Sequence, residues 1–276
     1  VEIRNPDKTH LSAVFSLLQG CFPGAWTGAE LEDRIFFDAR YDPNHVWMAR
    51  EQGKVLGLLV SVQDGPLAWL KLVAVDEGAR RRGLGRDLLS RAEFRLAGEG
   101  VRELRIEPTP PREFLPGVEA DSAAVAFFEA EGFRASGSLE ARWVSLPALK
   151  STPAVEVDRQ AAAAFAREFC GPHWPWIEEQ LSWRPARAAY GPGVGLCLAD
   201  PGFSLGPLWP APAATQEALA ALAQAALGVA LSAPARRPEG LRLWRVETSM
   251  HLADWGPLAD LPVFSRTYNT YSKALL

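Results

Sequence analysis

The chain has 276 residues, 48% of them hydrophobic, and its 29 basic side chains face 33 acidic ones for a formal net charge of −4. That length favours two domains over one, and the apolar share supplies sizeable cores and excludes a disordered chain. Neither half carries a basic excess, so nucleic acid is not an expected partner.

Glu2 to Asn5 reads as a short first strand. Thr9 or Ser12 caps a helix running through Val14, Phe15, Leu17 and Leu18, which Pro23 and Gly24 then break. Thr27 with Glu30 is a capping-box pattern, opening a second helix through Leu31, Ile35 and Phe36. Val46 to Arg50 and Lys54 to Val62, split by Gln52-Gly53, form a hairpin. Asp64-Gly65-Pro66 turns into a run from Trp69 to Val75 that is apolar except for Lys71. After Gly85, Leu88, Leu89, Ala92 and Leu96 recur at helical spacing until Gly98 and Gly100. Val101 to Glu107 is the next strand. Residues 108–118 are rich in proline and glycine. Asp121 or Ser122 caps a helix through Val125, Phe127 and Phe128 to Glu131, and Gly132 ends it. Phe133 to Ser136 and Glu140 to Leu146 are the last two strands of this half.

Leu146 to Pro153 reads as a linker. Beyond it the plan repeats more weakly. Ala154 to Val157 is a strand and Ala161 to Phe169 a helix, broken by Gly171-Pro172-His173-Trp174-Pro175. Ala186 to Tyr190, Val194 to Ala199 and Phe203 to Trp209 are strands. Ala213 to Leu227 is an alanine- and leucine-rich helix. Leu241 to Val246 is a strand, Leu252 to Leu261 a helix and Val263 to Tyr271 a last strand. Two halves with one element order, 1–147 and 148–276, point to a tandem duplication.

The chemistry concentrates between the strand ending Val73-Ala74-Val75 and the helix after it. There the loop reads Arg80-Arg81-Arg82-Gly83-Leu84-Gly85-Arg86. Glycine lets backbone approach a ligand closely, and a helix N-terminus offers unpaired N–H groups and a positive dipole end to a phosphate. The loop is neither a Walker sequence nor the three-glycine dinucleotide fingerprint. It fits Arg/Gln-x-x-Gly-x-Gly/Ala and resembles the acetyl-CoA motif of the GNAT (Gcn5-related) N-acetyltransferases, whose element order the first half shares. Phe127-Phe128-Glu129-Ala130-Glu131-Gly132-Phe133 resembles the family's Tyr-Glu-x-x-Gly-Phe segment, and Phe114-Leu115-Pro116-Gly117-Val118 a Pro-Gly-Val loop found in a bacterial subset.

The resemblance implies an α/β (α+β) fold of two GNAT-like domains, each a mixed, mostly antiparallel central sheet flanked by helices. It implies acetyl-CoA as co-substrate. Backbone groups of Val73 and Val75 would pair with the pantetheine arm, with Ala74 between them also in the cofactor site; the amides of Arg81, Arg82, Gly83, Leu84, Gly85 and Arg86 would meet the diphosphate, with Arg80 beside them, and Phe128 would lie by the thioester. In the second half Pro210-Ala211-Pro212-Ala213-Ala214-Thr215 stands where this loop should be. It has no arginine and no glycine, and two prolines remove donors. That half reads as a degenerate partner without its own acetyl-CoA.

Acetyl transfer to an amine needs a base, and Glu107, at the end of a strand beside the expected cofactor gap, is the first candidate. Glu131 and Glu113 follow it. His45, at the start of a strand, reads as surface or structural, Asp64 as turn chemistry and Asp121 as a helix cap. Phe128 stands where the family carries a tyrosine that protonates the leaving thiolate, and it has no proton to give. The acceptor walls are expected from Phe22 to Thr27, Pro110 to Val118 and His173 to Trp176, where Trp26, Trp174 and Trp176 sit in loop-like contexts. Two readings remain. One is an N-acetyltransferase acting on a primary amine of a small molecule by direct attack in a ternary complex; the other is a non-catalytic acyl-CoA-binding sensor or interaction module. Cys21, Cys170 and Cys197 are odd in number and far apart, as in a cytoplasmic protein, and the four histidines lack ligand spacing, so no metal is expected. No secretory leader or membrane span is read, and the chain is expected as a monomer or homodimer.

Overall fold

The computed structural model describes residues 1–23, 28–36, 38, 40–107, 114–115, 117–144, 157–170, 174–182, 188–200, 204–230, 241–243 and 263–275. In chain order the first elements are β1 (Glu2–Arg4), α1 (Leu11–Cys21), α2 (Gly28–Phe36), β2 (Val46–Glu51), β3 (Lys54–Asp64), β4 (Leu67–Val75), α3 (Leu84–Gly98), β5 (Glu103–Ile106), β6 (Val118–Glu119), α4 (Ala124–Ala130) and β7 (Arg134–Val144). Then come α5 (Arg159–Phe169), α6 (Trp174–Ser182), β8 (Ala188–Gly191), β9 (Gly195–Asp200), β10 (Ser204–Pro210), α7 (Gln216–Ala230), β11 (Leu241–Leu243) and β12 (Val263–Ala274). The chain divides into two compact units, Val1–Glu140 with Thr267–Leu276, and Ala141–Arg266. The sequence reading placed the end of the chain with the second half, after residue 147; in the structure residues 267–276 are part of the first unit.

In the first unit the strands run β1-β2-β3-β4-β5, then the end of β12, then β7. Among the described residues the pairings are antiparallel except β4 with β5, giving a mixed, mostly antiparallel sheet. Tyr271 to Ala274 pair with Ile106 to Glu103. The two strands expected at 133–136 and 140–146 are one strand, β7, with Gly137 inside it. A Cβ at Gly137 would lie 3.2 Å from Thr270 Oγ1, so the glycine serves close approach to β12, not a turn. Ser136 Oγ also donates to Thr270 Oγ1 at 3.0 Å.

Helices cover both faces of this sheet. Val14, Leu17 and Leu18 of α1 and Leu31 and Ile35 of α2 pack with Met48, Leu58, Val60, Leu72 and Ala74. On the other face Leu88, Leu89, Ala92 and Leu96 of α3 and Phe128 of α4 pack with Leu59, Leu70, Leu104, Ile106 and Tyr271. Leu70 and Leu72 would share a face of a regular strand. A bulge opposite Val60 and Ser61 inserts Lys71 between them and turns Leu72 to the α1–α2 side.

The expected caps differ. The N-cap of α1 is His10 and that of α4 is Ala123, neither with a side-chain hydrogen bond. Ser122 Oγ instead donates to the Glu119 carbonyl at 2.7 Å, and the Thr9 hydroxyl donates to Asp7 Oδ1, because these local turns satisfy the hydroxyls first. The Thr27 cap lies outside the described residues.

In the second unit, Asp158 caps α5 by accepting from Ala161 N at 3.0 Å. The expected break after it is followed by α6, a helix not read from the sequence. Ala162, Phe165, Ala166, Ile177 and Leu181 form a core with Ala188, Leu196 and Leu198. β8, β9 and β10 are antiparallel neighbours, and β10 and β11 are a parallel pair joined through α7. The first unit joins its parallel pair β4 and β5 through α3 in the same way. The linker at 146–153 and the helix at 252–261 lie outside the described residues, as does 154–156 of the expected strand. No helix among the described residues is long and apolar enough to cross a membrane.

Candidate active site

The parallel ladder between β4 and β5 pairs Leu67 with Glu103, Ala68 with Leu104 and Trp69 with Arg105, and ends there. Among the described residues β4 continues to Val75 without a partner on that side. Asp76 N donates to the Leu56 carbonyl at 2.9 Å, which sets the phase of the antiparallel β3–β4 bonds. Val73 and Val75 therefore turn their N–H and C=O groups away from β3, toward the gap. An extended ligand with amide groups can add to such an edge as a strand does. The Val75 carbonyl already accepts from Arg80 Nε at 3.1 Å and lies 3.5 Å from Cys21 Sγ.

The loop after Val75 is pinned at its start and open at its end. Asp76 accepts from Gly78 N at 3.1 Å and from Lys54 Nζ at 2.8 Å, and Ala79 is buried. Arg81 has φ 61° and Gly83 φ 84°, both left-handed. Gly83 is the N-cap of α3 and provides no side-chain cap; Asp87 N makes the first helical bond, to the Gly83 carbonyl at 3.0 Å. The N–H groups of Leu84, Gly85 and Arg86 are thus the orphan donors of a helix start, arranged for an anion. A Cβ on Gly83 would meet nothing within 4 Å. Gly85 has a second reason to be glycine: a Cβ there would lie 3.3 Å from Phe127 Cζ, so the helix start packs under α4.

The arginines are mostly tethered. Arg82 Nη2 donates to both oxygens of Glu51, at 3.2 and 3.3 Å, and Arg86 Nε to Glu131 Oε1 at 2.8 Å. Glu131 therefore holds an arginine of the loop. Arg81 has no side-chain partner among the described residues and is exposed.

Glu107 follows β5 directly, at the mouth of the gap. Its Oε1 accepts from Trp69 Nε1 at 3.0 Å and from Arg105 Nη1 at 3.4 Å, and the side chain is 30% exposed. Trp69 continues into a network that the sequence reading missed. The Arg40 guanidinium stands 5.8 Å above its ring and donates from Nε and Nη2 to the two oxygens of Asp38, each at 3.1 Å. Lys71 Nζ donates to Asp38 Oδ2 at 2.6 Å and to the Arg34 carbonyl at 3.1 Å. The Lys71 and Asp38 side chains are 0% and 1% exposed. A lone lysine in an apolar strand was the available signal.

Burial carries the Lys71 ammonium down to about 8, offset only in part by Asp38. In Asp38 burial acts in the raising direction, but Lys71 and Arg40 together outweigh it and hold the carboxyl at about 2, below its ordinary 3.8. A carboxyl depressed in the folded state stabilises above its unfolded value and loses that contribution as pH falls through the folded one. Asp38 should therefore supply about 2 kcal/mol near neutral pH, lost from about pH 4 to about pH 2. Thermal unfolding across this window checks it, with Asp38→Asn expected to flatten the decline.

The remaining expectations fall elsewhere. His45 is buried, with Nε2 2.6 Å from Glu99 Oε2 at the opposite end of α3 from the loop. Asp64 ends β3 before Gly65, at φ 57°. Asp121 lies in the turn before α4 and does not cap it. Phe128 is 6% exposed, 5.0 Å from the Phe127 ring, 5.5 Å from Phe133 and 6.5 Å from Tyr271. Glu113, most of 110–118, Trp26 and His173 are outside the described residues. Trp174 begins α6, with the Arg167 guanidinium 5.6 Å from its ring. In the second unit, Thr215 Oγ1 accepts from Ala218 N at 3.3 Å, so the start of α7 is closed by its own hydroxyl where α3 is open.

Residues 11–133 match the Acetyltransferase (GNAT) family. No curated protein matches the chain. Among solved structures, a putative acetyltransferase from Pyrococcus horikoshii is similar at 14% identity over 99% of this chain and 89% of that one, with a TM-score of 0.66. A GCN5-related N-acetyltransferase from Sphaerobacter thermophilus is similar at 16% identity over 99% and 95%, with a TM-score of 0.67. A tandem GNAT protein from the clavulanic acid biosynthesis pathway is similar at 16% identity over 100% and 99%, with a TM-score of 0.64. At these identities the likeness is one of fold, and the family match carries the class of chemistry, acyl transfer from an acyl-CoA. Residues 11–133 therefore form a GNAT acetyltransferase domain, in a chain that has the fold of a tandem GNAT protein over its whole length.

Proposed function

We propose that the first unit binds acetyl-CoA and transfers the acetyl group to a primary amine of a small molecule by direct attack in a ternary complex. One observation carries this reading: the uncapped start of α3 adjoins an edge of β4 that is unpaired among the described residues. A diphosphate suits the first and the amide-bearing pantetheine arm the second. Acetyl-CoA brings an activated thioester. The residues bind it, exclude water and manage protons, with Glu107 taking the proton of the attacking amine directly or through one water. The second unit, whose α7 start is closed by Thr215, serves as a partner without acetyl-CoA. Three free cysteines fit a cytoplasmic setting.

Release of CoA with a panel of amines tests the reading. Glu107→Gln should lower kcat about 10²-fold while acetyl-CoA affinity is retained, and the loss should shrink at high pH, where the amine is already neutral. Wild-type turnover by the variant across the pH range would remove Glu107 from the role of base. The absence of a hydroxyl on Phe128 favours a second reading, a non-catalytic acyl-CoA-binding module. That reading expects binding of acetyl-CoA without CoA release for any amine.

A further inference from the structure

Where β4 and β5 part, a side chain takes over from the backbone. Trp69 and Arg105 are the last paired rung of the parallel ladder. Paired residues share a face of the sheet, and Glu107, two residues beyond Arg105, returns to that face. On the opposite face Leu104 and Ile106 fill the cluster beneath α3 and α4. From the last rung the Trp69 indole reaches across the opening gap, and its Nε1 donates to Glu107 Oε1 at 3.0 Å.

The two oxygens of Glu107 are used unequally. Arg105 Nη1 also donates to Oε1, at 3.4 Å, so both donors hold the same oxygen. Oε2 has no partner among the described residues. An indole N–H donates and never accepts, so Trp69 takes no proton from the site and acts on Glu107 by orientation alone. Trp69 is itself held. The Arg40 guanidinium lies 5.8 Å from its ring, an attraction of cation for aromatic face. Arg40 is locked in turn by both oxygens of Asp38. Asp38 is bonded at 2.6 Å by Lys71, two residues along β4 from Trp69 and fully buried. A chain of fixed side chains thus runs from the core to one oxygen of the carboxylate.

Resting on the reading of Glu107 as the base, we propose that Trp69 is the positioning residue of this site. Its indole N–H pins Oε1, with Arg105 beside it, so that Oε2 faces the acceptor and receives the proton of the attacking amine. The amine N–H bond breaks as the Oε2–H bond forms, and the carboxylate becomes a carboxylic acid that later returns the proton to solvent. The nitrogen bonds the acyl carbon, the C–S bond breaks, and its electron pair leaves with sulfur. The Lys71–Asp38–Arg40 cluster serves this step at one remove, by keeping the indole from turning.

The test is a double-mutant cycle on the full chain with an accepted amine. Trp69→Phe keeps an aromatic ring beside Arg40 and removes the N–H. Its kcat should fall about tenfold, less than on loss of the carboxylate itself, with acetyl-CoA affinity and KM unchanged. The loss should shrink at high pH, as for Glu107→Gln. Placed on Glu107→Gln, Trp69→Phe should cost nothing further, since no base remains to be aimed. Arg40→Met, which removes the cation from the ring, is the second probe should Trp69→Phe fold poorly. Its loss in kcat should be about threefold and should also vanish on Glu107→Gln. Losses that multiply in the double variants, or wild-type turnover by Trp69→Phe beside a slowed Glu107→Gln, overturn this assignment alone. Wild-type turnover by Glu107→Gln, or no turnover with any amine, overturns the base reading and this assignment with it.

Discussion

Gly83→Val is expected to leave the chain folded and unable to hold acetyl-CoA. Gly83 sits at φ 84°, ψ −7° as the N-cap of α3, a left-handed conformation that a β-branched residue rarely takes. The strain is about 1–2 kcal/mol, and no atom stands within 4 Å of the added Cβ, so the core is untouched. Valine then has two options. It relaxes toward negative φ and turns the amides of Leu84 to Arg86 out of register, or it keeps the conformation and stands in the space where a diphosphate would rest. Either way affinity should fall at least 100-fold, about 2.7 kcal/mol, from a wild-type stoichiometry of one per chain. Calorimetry reads both quantities. Unchanged affinity would refute the site. Gly85→Val is the poorer probe, because Phe127 lies 3.3 Å from its Cβ and binding loss would be mixed with loss of packing.

Asp38→Asn is expected to be the most destabilising single change in the first unit's polar network. It keeps the shape and removes the charge that faces both Lys71 and Arg40. Lys71 Nζ is fully buried, and its other acceptor among the described residues is the carbonyl of Arg34. Removing one partner of a buried pair costs about 3–5 kcal/mol, because the remaining charge is left uncompensated. Deprotonating Lys71 relieves that cost. Its folded value is already depressed to about 8, so above it the unfolded chain binds more protons and stability rises with pH. The deficit of the variant in urea unfolding should therefore be larger at pH 7 than at about pH 9. Lys71→Met placed on Asp38→Asn should recover most of it, since an apolar chain of similar length leaves no buried charge. An equal deficit at both pH values would show that Lys71 is not the group left stranded.

The diphosphate loop was legible in the sequence because everything that makes it lies within one local stretch. Val73 to Val75, the arginines and glycines of 80–86 and the helical spacing of Leu88, Leu89, Ala92 and Leu96 are neighbours in the chain. Glycine tolerates positive φ and a helix start leaves donors open wherever they occur, so local rules suffice. The strand–helix–strand order of each unit was legible for the same reason, through strand and helix periodicity. What only the tertiary structure decided are contacts between residues far apart in sequence. Lys71 meets Asp38 because a bulge in β4 turns it toward the α2 side, and no single stretch contains both. Glu107 is fixed by Trp69, and Arg86 by Glu131, across 38 and 45 residues. The first unit takes its strand beside β5 from residues 267–276, which no local pattern around 134–144 announces. A strand's alternation says that one face will be buried, but not which edge it will join, since backbone hydrogen bonding is alike for every strand. That choice sets Tyr271 next to Phe128.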